Sequence, residues 1–153
     1  MTRQINSIVI GGLAATAVMT VLMLTAPLMG LPKMPIGNML AGFLGISLAL
    51  GWVMHFVIGT LLAAGYVLLL RDRLPGSNLV KGALYSLIPF LLAQTVVMPM
   101  MGMGFFSSHA PQVPLLVMGS LAGHLVYGAV LGLTAKKPQE NRLNTKSSCF
   151  SCH

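Results

Sequence analysis

Apolar residues run through this chain in two long blocks. Between Gln4 and Leu70 the only formal charge is Lys33, and between Gly82 and Ala135 there is none. A helical bilayer crossing takes about 20 apolar residues, so each block has room for two. The first crossing is expected over about residues 5–29. Its apolar run is longer than a signal-peptide core, which marks it as a crossing and not a cleaved leader. Pro27, Gly30, Pro32 and Pro35 end it, because proline lacks the amide donor and restricts the residue before it. Residues 36–70 are too many for one crossing and too few for two with a turn between them. They divide into a glycine-rich interfacial helix or loop over 38–46 and a second crossing over about 47–70, with Trp52 near its end. After a polar turn at 71–78, the third crossing runs over about 81–103. Pro89 in its middle should kink it or free a carbonyl for Gln94 or Thr95 to meet. An uncharged loop leads to the fourth crossing, about 114–135. The expected fold is an all-α integral membrane domain of four helices over 1–135, followed by a polar tail over 136–153.

Inside these segments small residues recur at helical spacing. Gly51, His55, Gly59 and Ala63 lie four apart, and so do Ser120, His124, Gly128 and Gly132; Gly12, Thr16 and Thr20 form a similar row. Residues four apart share one helix face. In lipid, helices meet where small side chains let backbones approach, so both histidines should look into the protein. The rows also point to an internal duplication. Pro27 recurs at Pro99 and His55 at His124, in the same order and at nearly constant offset, as expected of a duplicated two-helix hairpin. Such copies are parallel and related by an axis along the membrane normal. The second and fourth helices should then face each other across that axis.

Composition agrees with the pattern. Of the 153 residues 56% are apolar and 7% charged, against roughly 25% charged in a soluble globular protein. The net charge of +7 sits at segment ends without a basic stripe interleaved with aromatics, which speaks against nucleic-acid binding. Arg3, Arg71, Arg73, Lys81, Lys136, Lys137, Arg142 and Lys146 collect on one side, and Lys33 is alone on the other. The side rich in lysine and arginine is expected in the cytoplasm, with both termini.

Gly12, Thr16 and Met19, then Pro27, Met29 and Gly30, then Trp52, His55 and Gly59, and the run 98–106 ahead of His124, Tyr127 and Gly128 give the chain a resemblance. It resembles a family of small bacterial four-helix inner-membrane proteins of unknown function, over about residues 7–135. The resemblance implies an architecture and a location in the bacterial inner membrane, and nothing catalytic.

Three groups of residues carry candidate chemistry. His55 and His124, on helices that should face each other, could hold a b-type haem or a metal ion, or clamp neighbouring helices. Cys149, Cys152 and His153 spell C-x-x-C-H, the haem c attachment pattern, which can equally serve as a thiol pair for metal or redox work or be an inert tail. Against haem c stand the cytoplasmic side on which the tail is expected and a polar setting that offers no apolar pocket. Met98, Met100, Met101 and Met103 could form a thioether site for copper(I), with Met29, Met34, Met39 and Met54 on the same side, although methionine is also an adaptable core residue. Proton-coupled transport finds no aspartate or glutamate in any crossing, and hydrolysis finds no serine with an acid and base beside it. The expected function is a non-catalytic accessory or electron-transfer subunit of a membrane redox system, embedded in lipid and paired with redox subunits or with its own copies. A small channel or transporter, for example for a metal ion, is the alternative from another class. A purely structural role is the third.

Overall fold

The computed structural model of the protein describes residues 2–135, with Thr2 and Arg3 as backbone alone. Cys149, Cys152 and His153 lie outside the described residues, with all of the chain from Lys136. Helix α1 (Thr2–Thr25) closes in a 3-10 turn at Ala26–Met29. A short α2 (Ile36–Leu44) follows, then α3 (Leu48–Leu70), α4 (Asn78–Met100) and α5 (Val113–Thr134). No strand occurs among the described residues. α1, α3, α4 and α5 are each long and apolar enough to cross a membrane. The chain is an all-α, multi-pass membrane protein.

The ends of the helices follow from local chemistry. α3 and α4 start where serine caps them: Ser47 accepts the Leu50 N–H and Ser77 the Val80 N–H, both at 3.4 Å. The Ser77 cap brings α4 in at Asn78, three residues ahead of the sequence expectation. At the other end α4 gives way at Met100, and Gly102, with φ of 80°, turns the chain. The segment between α1 and α3, expected as an interfacial helix or loop, is helical. Trp52 of α3 lies over Gly37 of α2, and Gly51 over Gly37 and Ala41.

Pro89 is not compensated in the manner expected. Thr95 donates to the Leu91 carbonyl and Gln94 pairs with Ser107, so neither meets the carbonyl that a proline leaves without its amide partner. Farther along, α4 widens into a π-turn at Ala93–Val97. Such turns inside α-helices are frequent at functional sites. A second π-turn, Tyr66–Leu70, ends α3.

Packing within the two hairpins repeats one seam. In the first, a side chain at Gly12 of α1 would meet Thr60 and Ala63 of α3, one at Gly59 would meet Thr16, and Thr20 touches His55. In the second, Gly82 of α4 abuts Gly128 and Gly132 of α5, Ser86 abuts Gly128, and Phe90 touches His124. Gly12, Thr16 and Thr20 thus correspond to Gly82, Ser86 and Phe90, 70 residues on. Thr16 and Ser86 are 1% and 0% exposed, each seated on a glycine of the partner helix. The small rows therefore serve pairing inside each hairpin.

The hairpins join through α1 and α5, which pack along each other. Tyr127 of α5 adds a tie to α3, its hydroxyl donating to the Gly59 carbonyl at 2.6 Å. α3 and α4 lack a comparable seam. Tyr85 links them near the Arg71 end, donating to the Leu62 carbonyl at 2.7 Å, with its ring 5.2 Å from that of Tyr66. Beyond Tyr85 the two helices diverge around a cavity.

Candidate functional site: a cavity with two histidines

Each small row changes from glycine to histidine one turn farther from the Arg71 end. The helices can no longer touch there, and the space between them is a cavity of about 330 Å³. This lies within the span of small-molecule and cofactor sites, about 300–1,000 Å³. All four crossings and α2 contribute to its wall, which is apolar apart from His55, His124, Thr16, Ser120 and Tyr127. Six methionines face it: Met19, Met23, Met34, Met39, Met98 and Met101. On α4 the wall includes Pro89 and the first and last residues of the π-turn, Ala93 and Val97. The irregular stretch of that helix is thus part of the site.

The two imidazoles are held differently, and their partners settle the tautomers. His124 Nδ1 lies 2.8 Å from the Ser120 carbonyl oxygen. A carbonyl only accepts, so Nδ1 carries the proton and, in the neutral ring, Nε2 is a bare acceptor. His55 Nε2 lies 3.0 Å from the Thr20 hydroxyl oxygen. That hydroxyl donates its one proton to the Thr16 carbonyl at 2.7 Å, so it accepts from His55. His55 is therefore protonated on Nε2, and its Nδ1 is the bare nitrogen. Neither bare nitrogen has a protein partner among the described residues. Ring edges complete the setting, with Trp52 and Phe56 against His55 at 6.0 and 5.7 Å and Phe90 against His124 at 5.8 Å.

The thioether group expected around Pro99 is divided by the fold. Met98 and Met101 line the cavity of the histidines, and Met103 faces a neighbouring cavity. Met100 is 63% exposed on the outside of the bundle. Of the methionines expected on the same side, Met34 and Met39 join the histidine cavity, whereas Met29 is exposed. Met19 and Met23 on α1 complete the set; each lies three residues after Thr16 or Thr20, a spacing that shares their helix face and was visible in the sequence.

The neighbouring cavity, about 280 Å³, is lined by Lys33, Gln94, Met103 and Ser107 and shares Met34, Met39, Met98 and Ser120 with the first. Gln94 is 1% and Ser107 2% exposed, and the Ser107 hydroxyl donates to Gln94 Oε1 at 3.4 Å. Phe106 and Ser107 take φ of 50° and 57°, the left-handed region, where a non-glycine residue costs on the order of 1 kcal/mol. That strained turn points Ser107 inward.

Among the described residues no cluster of three or more histidine, cysteine, aspartate or glutamate side chains could hold a metal ion. Any metal in the cavity would rest on imidazole and thioether. No curated protein and no solved structure matches the chain. A family profile does, over residues 2–144, which takes in all four crossings and stops short of Cys149. The chain belongs to the family of unknown function DUF6789.

Proposed function

We propose that the protein is a non-catalytic accessory or electron-transfer subunit of a redox system in the bacterial inner membrane, and that it holds a b-type haem in the histidine cavity. One observation carries the reading. His55 and His124 reach a single cavity of cofactor size, each with one ring nitrogen donating to a helix and the other bare. Imidazoles that bind metals use this arrangement, because the outer hydrogen bond fixes the ring and raises the basicity of the ligating nitrogen. Apolar walls suit a porphyrin. His124 offers Nε2, the ring nitrogen farther from its Cβ, and is the firmer ligand of the two. The imbalance of lysine and arginine supports an orientation with both termini in the cytoplasm and Lys33 outside.

The test is a reduced-minus-oxidised spectrum and a pyridine haemochrome of the full-length protein in detergent, before and after haemin is added. A b-type signal is expected, lost in His124→Ala and weakened or lost in His55→Ala. A c-type signal would assign the haem to Cys149, Cys152 and His153 instead. No signal after haemin addition to a monodisperse preparation refutes the reading.

The six methionines on the same wall favour a second reading, a copper(I) site used in handling or transport of that ion. It predicts copper bound in a competition with a copper(I) chelator, and loss of that copper in Met98→Leu and Met101→Leu, in a protein without a haem signal.

A further inference from the structure

We propose that the haem of the histidine cavity enters from the hydrocarbon of the bilayer, through a lateral window between α3 and α4 flanked by Ile58 and Leu92. This deepens the haem reading and rests on it. Three of the helix pairs around the cavity are closed by seams, α1 with α3, α1 with α5 and α4 with α5, whereas α3 and α4 share none. What links them is Tyr85, whose hydroxyl donates to the Leu62 carbonyl. Residues three and four apart share a helix face. The faces that meet at Tyr85 and Leu62 therefore continue as Ile58 on α3 and as Pro89, Leu92 and Ala93 on α4, and all four line the cavity.

Ile58 and Leu92 are nevertheless 40% and 51% exposed, and Val97, in the same wall farther along α4, is 38% exposed. On the side of α1 and α5 the wall is buried, at Met19, Met23, Ser120 and Tyr127. Side chains that belong both to the wall of a cavity and to the outer surface of the bundle mark its opening. Depth decides what that opening faces. Ile58 stands 12 residues before Leu70 and Leu92 14 residues after Asn78, about 18 and 21 Å along helices that rise 1.5 Å per residue. The hydrocarbon core is about 30 Å thick, so both residues face acyl chains. Toward the Arg71 end the buried rings of Tyr66, Tyr85 and Tyr127 fill the bundle, and at the other end α2 walls the cavity with Ile36, Met39 and Leu40. An opening onto acyl chains selects what passes. A bare ion would have to shed its water in hydrocarbon, whereas a macrocycle with apolar faces partitions there.

The experiment reads rates. Full-length protein in phosphatidylcholine vesicles takes up added haemin, followed by its Soret band, and then releases it to an excess of a water-soluble scavenger, apomyoglobin. Ile58→Trp and Leu92→Trp, which crowd the window, should slow uptake and release alike by about tenfold or more, with affinity and axial-ligand spectrum unchanged. Leu61→Trp is the control, because Leu61 borders the groove that α3 forms with Leu13 on the other flank, and it should keep wild-type rates. Ile58→Ala and Leu92→Ala, which widen the window, should speed both steps and serve should the tryptophan variants fail to insert. Wild-type rates in the window variants overturn the window and leave the haem reading standing. Weaker binding with unaltered uptake also overturns it, since Ile58 and Leu92 would then be contacts of the bound ligand. No Soret change in the wild type overturns both.

Discussion

Gly82→Ala should be among the most damaging small substitutions in this protein, because a Cβ at Gly82 would run into the carbonyl oxygen of Gly128 on the facing helix. The converse also holds, since a Cβ at Gly128 would strike the carbonyl oxygen of Gly82. The two glycines thus turn their Cα–H groups to each other's carbonyls, contacts worth about 0.5–1 kcal/mol apiece. No flexible side chain can move aside, so α4 and α5 must separate. Overpacking of this kind costs about 1–3 kcal/mol, and opening a seam by 0.5–1 Å forfeits a quarter to a half of each dispersion contact along it. Against this stands at most about 1 kcal/mol gained from alanine's helix propensity. The net loss is about 2 kcal/mol or more. Reversible unfolding in mixed micelles, by SDS titration and circular dichroism, measures it. Gly42→Ala is the control: α2 leaves open space around Gly42, so that variant should be neutral or up to about 1 kcal/mol more stable. Equal midpoints for Gly82→Ala and the wild type would refute the close α4–α5 seam.

The same assay serves two further variants. Tyr127→Phe removes the hydroxyl that ties α5 to the Gly59 carbonyl and should cost about 1 kcal/mol, little because that carbonyl retains its helical partner; no loss would mean the tie is not made in solution. Arg71→Ala frees the Ala135 carbonyl, which the buried guanidinium meets at 2.9 Å at the end of α5, and should cost about 1–2 kcal/mol; an unchanged midpoint would argue against that cap. Thr20→Val deprives the His55 N–H of its acceptor and should alter the Soret band or axial-ligand spectrum of the haem-loaded protein while Thr134→Val, on an exposed hydroxyl, leaves it as it is; identical spectra for Thr20→Val and wild type would remove Thr20 from the site.

The four crossings were legible because the bilayer imposes a length, and runs with one charge or none admit few divisions. The rows of small residues were legible too, since helical spacing is visible in the letters. Their partners were not. Each row was expected where helices touch, and it is; but the rows of α3 and α5 face α1 and α4 inside their own hairpins, with Tyr127 as the tie between them. Spacing identifies a face and not what lies opposite. The pairing of Gln94 with Ser107 was out of reach for another reason. Gly102 and Gly104 announce a turn, but the left-handed backbone that aims Ser107 falls on Phe106 and Ser107 themselves, which are not glycine. The division of the methionines around Pro99 has the same origin, for α4 ends at Met100 and the chain beyond it reverses.

The repeated seam accounts for both the cavity and its asymmetry. Two hairpins with the same seam, pinched at glycine and opened at histidine, bring two imidazoles to one space without any separate device. Where the seam reaches the histidines the copies part: the first hairpin has Thr20 and the second Phe90. A hydroxyl beside His55 fixes its proton on Nε2, whereas beside His124 there is only a ring edge, and that imidazole turns its Nδ1–H to its own helix at Ser120. The site therefore offers two chemically distinct nitrogens, Nδ1 of His55 and Nε2 of His124.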